Sequence, residues 1–222
     1  MHYYDGKIIV FARTPIMGKV KTRLIPALGA EGARNLHCQM IEHTLGMLSS
    51  TKMAPLELHC SPDINHEYLI SLSSRYQLEL KHQYGSNLGN RMSHALDQAL
   101  NDNRYVILIG TDCPALTSSY IRQALEILQS GTDIVIGPAK DGGYVLIGTS
   151  RKQADIFTDI DWGTNRVLQQ TRNRIINTGL SYKELETLWD VDTPEDLENI
   201  INDKQLTHLL SHQNITLGHY EY

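Results

Sequence analysis

"YVILIGTDCPAL", residues 105–116, contains the strongest strand signal in the chain. Its first half, "YVILIG", is almost wholly apolar, which is typical of a strand that is buried on both faces. Such a strand lies near the centre of a sheet. Asp112 lies two residues after this run, and the carboxyl ends of strands are where open α/β sheets bind their ligands. We therefore expect functional residues at this edge of the predicted sheet.

Apolar runs and helical patterns alternate in the first half of the chain. This β-α-β-α order predicts a parallel sheet with helices on both faces. The predicted strands are residues 7–13, 56–61, 78–83 and 105–110, and the predicted helices are residues 31–49, 64–76, about 91–100 and 117–129, the last capped by Thr117 or Ser118.

The pattern changes in the second half. "DIVIGPA" and "YVLIGT" flank "KDGG" (residues 140–143), the residue signature of a hairpin turn, so the sheet becomes mixed. A helix over about 164–176 follows, and "DVDTPEDL" opens another. We expect an α/β fold with three α/β/α layers and a mostly parallel, mixed central sheet. Without a repeat or linker, residues 1–222 form one predicted domain, with a polar C-terminal helix and tail after about residue 203.

The composition excludes several classes of protein. A hydrophobic content of 41% supports a substantial core, and a net charge of −5 argues against nucleic-acid binding. Cys38, Cys60 and Cys113 share no CxxC spacing, which favours a reducing compartment over a disulfide framework or a zinc site. No apolar run is long enough to span a bilayer. We expect a soluble cytoplasmic protein without a membrane partner, and we expect most of its ten histidines at the surface.

A cationic loop follows the first strand. "FARTPIMGKVKTRL" (residues 11–24) carries Arg13, Lys19, Lys21 and Arg23 and no acid. It is not a Walker loop, because "GKVKT" lacks GK[ST]. Lysine and arginine both bind phosphate oxygens, and backbone amides near Gly18 can add to them. A solvated surface loop is the alternative; the strand-end position and the lack of acids favour a polyphosphate site.

Asp112 has two interpretations. It is either a turn or helix-cap residue, or a ligand of Mg²⁺, which prefers oxygen ligands shared with substrate phosphates. Because Thr117 and Ser118 can already cap the next helix, the metal role is favoured.

A second acidic segment, "WDVDTPEDL", lies late in the chain. Its last acids are explained by helix capping, with Thr193 as the N-cap. Asp190 and Asp192 precede the helix, and residues two apart on an extended segment point to the same side. Either carboxylate is a candidate to complete a metal site with Asp112.

Other polar segments carry a structural alternative beside the functional one. Gly143 permits close approach of a ligand, and Tyr144 can stack or donate a hydrogen bond. Asp141 and Gly142 are candidates to line a ligand site, but they also fit a hairpin turn. Trp162 is either a candidate for contact with substrate or a core side chain. Arg91 is a candidate for contact with a phosphate or base, and a surface ion pair is its structural alternative.

Four motifs, "GKVKTRL", "GTDCPAL", "DGGYVLIG" and "WDVDTPEDL", occur in an order that resembles the nucleotide-diphospho-sugar transferase superfamily with the GT-A fold. Within this superfamily, the chain resembles the bacterial selenodomain-associated or arsenosugar-biosynthesis glycosyltransferases over about residues 7–197. It is also similar to 2-phospho-lactate guanylyltransferases. The resemblance implies these roles: Lys21, Thr22 and Arg23 in the nucleotide-phosphate loop, Asp112 and Asp192 as metal carboxylates, and Gly142, Gly143 and Tyr144 beside the sugar or acceptor.

The chain departs from the family pattern at two positions. Arg13 stands where lysine is more usual, and Asn87 where an acid is more usual. The first change keeps the charge but alters its geometry. The second removes a group that could act as a base or bind a ribose.

The resemblance implies a transferase that depends on Mg²⁺ or Mn²⁺, with Asp112, Lys21 and Arg23 as its catalytic residues. The first hypothesis is transfer of a sugar from a nucleotide-diphospho-sugar to a small acceptor. The second is transfer of a nucleotidyl group from a nucleoside triphosphate to a phosphorylated small molecule, which the dense cationic loop favours. A nucleotide-binding module without turnover is the third hypothesis, because the sequence shows no committed general base: His94 is merely nearby in sequence, and no carboxylate is securely placed for this role.

Overall fold

The computed structural model describes residue 3, residues 5–152 and residues 154–211. The strands are β1 (Gly6–Arg13), β2 (Leu56–Ser61), β3 (Glu79–His82), β4 (Tyr105–Ile109), β5 (Ile134–Pro138), β6 (Tyr144–Thr149) and β7 (Tyr182–Glu184). The α-helices are α1 (Ile25–Thr51), α2 (Glu67–Tyr76), α3 (Leu88–Ala99), α4 (Ser118–Gln129), α5 (Val167–Thr178) and α6 (Leu197–Asn202). Four 3-10 helices span Thr22–Leu24, Ala154–Phe157, Pro194–Asp196 and Thr207–Leu210.

The seven strands form one sheet in the order β3-β2-β1-β4-β6-β5-β7. Strands β3, β2, β1 and β4 are parallel, whereas β6 runs antiparallel to both β4 and β5. Strand β7 pairs in parallel with β5. The predicted mixed sheet is therefore confirmed, and β4 lies at its centre, as its apolar sequence indicates.

Alternate side chains of each strand enter two separate cores. In β1, Ile8 and Val10 pack with α1, α2 and α4, whereas Ile9 and Phe11 pack on the other face with α3 and α5. This period of two is the geometry of a strand covered by helices on both faces. The predicted three-layer α/β/α class is confirmed. Among the helices of the described residues, none is long and apolar enough to cross a bilayer.

Several elements differ from their predicted bounds. Helix α2 begins at Glu67 rather than at residue 64, and α3 begins at Leu88 rather than at about residue 91. Helix α1 begins at Ile25 rather than at residue 31. A kink at Gly29, whose φ of 71° is not helical, separates its first turn from the rest of the helix. Helix α5 begins at Val167 rather than at residue 164. Strand β7 was not predicted; it has three residues, and two of them are exposed, so it carries little hydrophobic pattern.

The C-terminal segment packs on the first half of α1. Leu206, Leu209 and Leu210 are buried in a core that includes Leu36 of α1. Up to residue 211 this segment contains the 3-10 helix Thr207–Leu210 rather than an α-helix. The rest of the predicted C-terminal helix and tail lies outside the described residues.

The strand order places a crevice between β1 and β4. The chain proceeds from β1 outward to β2 and β3 and then returns to form β4 on the opposite side of β1. Loops that leave the two strands therefore diverge at their carboxyl ends, which is the switch point where α/β sheets bind ligands. The cationic loop and Asp112 both start from this point.

Gly89 allows α3 to pack closely against the segment after β6. A Cβ atom at Gly89 would lie 2.7 Å from Cζ2 of Trp162 and 2.8 Å from the carbonyl oxygen of Phe157. We predict that Gly89→Ala lowers the free energy of unfolding by roughly 1–3 kcal/mol, as overpacked sites do. Urea denaturation monitored by circular dichroism measures the change.

Gly46→Ala in α1 is the matched control. Its Cβ would meet nothing closer than the hydroxyl of Tyr76 at 3.8 Å. The higher helix propensity of alanine should then stabilise the protein by about 0.5–1 kcal/mol. Equal effects of the two substitutions would contradict the packing of Trp162 on α3.

Candidate functional site

A cleft of about 880 Å³ opens at the carboxyl ends of β1 and β4. Its volume is typical of sites for small ligands and cofactors. Gly18 and Gly142 do not line it. The predicted site residues that do line it are Arg13, Lys19, Lys21, Thr22, Arg23, Arg91, Asp112, Asp141, Gly143, Tyr144, Trp162 and Asp192.

Lys21 is at the centre of the contacts in this cleft. Its side chain is 3% exposed, and its Nζ lies 2.6 Å from Oδ1 of Asp112. The same ammonium donates to the carbonyl oxygen of Val191 at 2.5 Å and lies 3.5 Å from Oδ1 of Asp192. One cation thus joins the loop after β1, the end of β4 and the late acidic segment.

The cationic loop is built to bury this one charge. At its base, the Thr14 hydroxyl donates to the Asp63 carbonyl at 2.7 Å. Gly18, with φ of 74°, turns the exposed middle of the loop, and Val20 is buried beyond it. Lys21 itself has φ 47° and ψ 43°, a left-handed conformation that is uncommon for a residue other than glycine. Such backbone conformations concentrate at functional sites.

Lys21 and Asp112 both keep their charges. Burial acts to lower the pKa of Lys21, but Asp112 and Asp192 outweigh it, and the pKa is raised above its usual value. Desolvation likewise acts to raise the pKa of Asp112, whereas the neighbouring Lys21 charge holds it below the usual range. Asp112 remains 52% exposed to the cleft despite this contact.

Asp190 and Asp192 flank the buried Val191 and both line the cleft. The Val191 amide donates to the Asp112 carbonyl oxygen at 2.8 Å, which fixes this segment at the end of β4. Desolvation raises the pKa of Asp190 to about 6, with further contributions from Asp141, Asp192 and Asp112. Among the described residues, Asp190 has no ion-pair partner, unlike Asp192.

Of the remaining acids of this segment, Asp196 caps a helix and Glu195 lies in its first turn, as predicted. The Asp196 carboxylate accepts from the Asp192 and Thr193 amides at 2.9 and 2.7 Å, and from the Thr193 hydroxyl at 2.9 Å. These bonds complete a capping box with Pro194 in the first turn. They leave Asp190 and Asp192 as the acids that no helix cap explains.

Three cations of the loop remain at the surface of the cleft. Arg13 and Lys19 are exposed and form no ion pair within the described part of the chain. Arg23 is 67% exposed, and one of its guanidinium nitrogens lies 3.1 Å from Oδ2 of Asp192. The exposed loop cations available to an incoming anion are therefore Arg13, Lys19 and Arg23, whereas Lys21 is buried and paired.

The start of α3 forms another part of the cleft. Arg91 donates to the Gly85 carbonyl and to the Ser61 hydroxyl, both at 3.1 Å, rather than forming the surface ion pair that was the alternative. Asn87 is the N-cap of α3, and its side-chain oxygen accepts from the Asn90 amide at 2.8 Å. Asn87 thus has a structural role at the start of α3.

The opposite part of the cleft is partly aromatic. Tyr144 and Trp162 are half-buried and meet edge to face, with ring centroids 6.5 Å apart. Burial raises the pKa of Tyr144, so its hydroxyl stays protonated, and the hydroxyl oxygen lies buried near Thr171 rather than open to the cleft. Gly142, with φ of 89°, forms the hairpin turn beneath: a Cβ there would lie 2.2 Å from the Asn165 carbonyl oxygen. Trp162 both packs on the core and lines the cleft.

His37 of α1 lines the cleft but was not predicted from the sequence. It is buried rather than at the surface, and its Nε2–H donates to the Arg13 carbonyl oxygen at 2.9 Å. Burial lowers its pKa, so the ring is neutral. Nδ1 has no hydrogen-bond partner among the described residues. A lone histidine in a helical pattern gives no signal of such a position.

The carboxylates of the cleft fit a divalent metal. Asp112 and Asp192 already share one cation, Lys21, and their side chains are 52% and 46% exposed. Mg²⁺ commonly binds through one or two carboxylates and completes its shell with water and phosphate oxygens. No three metal-ligating side chains of the described residues converge on one point. A metal here would therefore depend on ligands that a substrate brings.

Comparisons with known proteins agree with this arrangement. Residues 44–164 match the family described as "Uncharacterized protein conserved in bacteria" (DUF2064). The chain is 32% identical to a proposed nucleotide-diphospho-sugar transferase from Desulfovibrio desulfuricans G20; the match covers 96% of this chain and 92% of that one, with a TM-score of 0.82. No protein of curated function matches the sequence.

Two more distant structures share the fold. One is the inositol-1-phosphate CTP transferase from T. maritima, at 14% identity, with 94% of this chain and 96% of that one covered and a TM-score of 0.57. The other is glucosyl-3-phosphoglycerate synthase from Mycobacterium tuberculosis in complex with Mn²⁺, UDP and glucosyl-3-phosphoglycerate, at 11% identity, 94% and 79% coverage and a TM-score of 0.55. The fold thus occurs in both glycosyl- and nucleotidyl-transferring proteins.

The raised pKa of Asp190 makes its charge unfavourable in the folded state. Because this pKa is about 6 when folded and lower when unfolded, the folded protein gains stability as pH falls from 6 towards 4. We predict that Asp190→Asn raises the free energy of unfolding at pH 7.5 by on the order of 1 kcal/mol, and that this advantage disappears near pH 4. Urea denaturation in EDTA across this pH range is the measurement.

Asp102→Asn is the control for loss of a surface carboxylate, because Asp102 is exposed and lies outside the cleft. It should change stability by less than about 0.5 kcal/mol at either pH. A destabilised Asp190→Asn variant at pH 7.5 would show that Asp190 is held by a favourable contact instead.

Proposed function

Because the chain belongs to the DUF2064 family and to the nucleotide-diphospho-sugar transferase superfamily, we propose that it transfers a sugar from a nucleotide-diphospho-sugar to a small-molecule acceptor. The observation that carries this proposal is the cleft at the β1–β4 switch point. There, the exposed cations Arg13, Lys19 and Arg23 and the carboxylates Asp112 and Asp192 line one cavity. A diphosphate needs cations, and the metal that accompanies it needs carboxylates.

The loop cations bind and orient the donor diphosphate in this proposal. Arg13 and Lys19 have no ion-pair partner within the described residues and are free to contact phosphate oxygens. In glycosyl transfer the acceptor hydroxyl oxygen bonds to the anomeric carbon, and the bond from that carbon to the diphosphate breaks. The nucleoside diphosphate leaves with the bonding electrons, and fixed positive charge stabilises it.

Asp112 and Asp192 are the residues that would hold Mg²⁺ or Mn²⁺. When bound, the metal would supply Lewis-acid neutralisation of the charge that grows on the leaving phosphate. Lys21 positions both carboxylates, since its ammonium contacts an oxygen of each. The Val191 carbonyl, which also accepts from Lys21, fixes the separation between the two acidic segments.

Asp190 is our candidate for the group that accepts the acceptor's proton. It lines the cleft, forms no ion pair within the described part of the chain, and has a pKa of about 6. A base with a pKa near the working pH is suited to this task. Asp141, Gly143, Tyr144 and Trp162 would border the sugar and acceptor, with aromatic faces and hydrogen-bonding groups close together.

Nucleotidyl transfer is the second candidate. Here an acceptor phosphate oxygen bonds to the α-phosphorus of a nucleoside triphosphate, and pyrophosphate leaves with the electrons of the broken P–O bond. The observation that favours it is the concentration of Arg13, Lys19 and Arg23 on one loop, because pyrophosphate carries more charge than one diphosphate ester. In either case the partners are a nucleotide donor and a small-molecule acceptor, and we propose a cytoplasmic location.

A ligand panel tests the donor. Nucleoside triphosphates, nucleoside diphosphates and nucleotide-diphospho-sugars are each added with Mg²⁺ and again with EDTA, and the melting temperature is measured. We expect a Mg²⁺-dependent rise for one nucleotide-diphospho-sugar; a ligand at about 100 times its Kd adds about 2.7 kcal/mol. Preference for one triphosphate would instead support nucleotidyl transfer. The absence of any shift would contradict a nucleotide function for the cationic loop.

Asp112→Asn tests whether binding leads to catalysis. The amide keeps an acceptor for Lys21 but removes the charge, so we predict at least about a 10²-fold fall in metal-dependent turnover without unfolding. Release of nucleoside diphosphate or pyrophosphate is measured with the donor from the panel. Asp159→Asn is the control, because Asp159 pairs with Arg174 outside the cleft. Equal turnover of both variants would exclude the proposed metal carboxylate.

A further inference from the structure

Lys21 occupies the place between two carboxylates that a metal ion would be expected to take. Its Nζ lies 2.6 Å from Asp112 and 3.5 Å from Asp192, and it also donates to the Val191 carbonyl. The side chain is almost fully buried, whereas both carboxylates are about half exposed. The ammonium therefore approaches from inside the protein and leaves the cleft side of the carboxylates open.

The two carboxylates that Lys21 contacts already have cationic partners. Asp112 and Asp192 carry two negative charges, and their ion-pair partners Lys21 and Arg23 carry two positive charges. A divalent cation that joined the four would be repelled by a buried ammonium a few ångströms away, where screening by solvent is weak, and it would compete with that ammonium for both carboxylates. A metal alone should therefore bind poorly to this protein.

Separation of the Lys21 ammonium from its two carboxylates is equally unfavourable when no new partner takes their place. A buried ammonium that loses its carboxylates costs free energy unless another anion replaces them. Phosphate oxygens in the cleft are such a replacement, since Lys21 lines the same cavity as Arg13, Lys19 and Arg23. The metal can take the carboxylates when phosphate takes the ammonium, so the two exchanges favour each other.

We infer that Lys21 is an internal substitute for the metal ion, and that a divalent cation and a polyphosphate enter this site only together. The inference rests on the proposed function and adds how its metal and donor are coupled. Because coupling between two ligands is reciprocal, each should raise the affinity of the other by the same factor. The site would then bind little metal until a donor arrives.

The test measures Mn²⁺ affinity by the electron paramagnetic resonance signal of free Mn²⁺, with and without inorganic pyrophosphate as the polyphosphate probe. For the unmodified protein we expect weak binding of Mn²⁺ alone and a gain of on the order of tenfold or more with pyrophosphate, after correction for the complex that forms in solution. For Lys21→Met we expect Mn²⁺ alone to bind about tenfold tighter or better, with little further gain from pyrophosphate.

A second Lys21 variant and a control variant complete the test. Lys21→Gln also removes the charge but keeps an N–H donor for the Val191 carbonyl, so it serves if the Met variant fails to fold. Lys19→Met removes a charge from the same loop without touching either carboxylate, and it should leave the affinity for Mn²⁺ alone unchanged. Circular dichroism melts establish that each variant is folded.

The outcomes separate this inference from the proposed function. Unchanged Mn²⁺ affinity in folded Lys21→Met or Lys21→Gln, or an equal gain in Lys19→Met, overturns the exchange even if the donor panel and turnover support a transferase. Tighter Mn²⁺ binding in the Lys21 variants supports the competition. If pyrophosphate then fails to raise the Mn²⁺ affinity of the unmodified protein, joint entry is overturned, and a negative donor panel shows separately that the transferase proposal is wrong.

Discussion

A buried ammonium must find anions, and in this protein that requirement assembles the site. Lys21 is 3% exposed and carries its charge, so it is stable only where Asp112, Asp192 and the Val191 carbonyl converge on it. These partners come from the end of β4 and from a segment 170 residues further along the chain than Lys21. Without the ammonium, the two acidic segments would repel each other across the cleft.

The topology of the sheet places these segments close together, independently of their side chains. Strands β1 and β4 are parallel neighbours, so the residues that follow them emerge at the same edge. The hairpin of β5 and β6 then supplies Asp141 and Tyr144 from the other side, since β6 is the antiparallel neighbour of β4. These parts of the cleft are thus positioned by strands that are buried between helix layers, which is why their charges can be held in fixed places.

The strands and helices could be predicted because their signals are local. The central strand, the hairpin and the Thr193 capping box depend on periodicity and on short-range turn chemistry. Burial of a polar side chain is a property of the tertiary structure and has no such signal. The four loop cations look alike in sequence, yet Lys21 is buried and paired while Arg13 and Lys19 are exposed. His37 was expected at the surface for the same reason, although it supports the Arg13 carbonyl.

The same cleft contains one group that stability alone does not explain. Asp192 is balanced by Lys21 and Arg23, but Asp190, two residues away, faces three other carboxylates and no ion-pair partner among the described residues. An asparagine would avoid that repulsion at no steric cost. Natural proteins retain such unfavourable groups chiefly where activity needs them, because stability and function then compete at one position. The balanced acids are therefore suited to hold a cation, and the unbalanced acid is suited to exchange a proton.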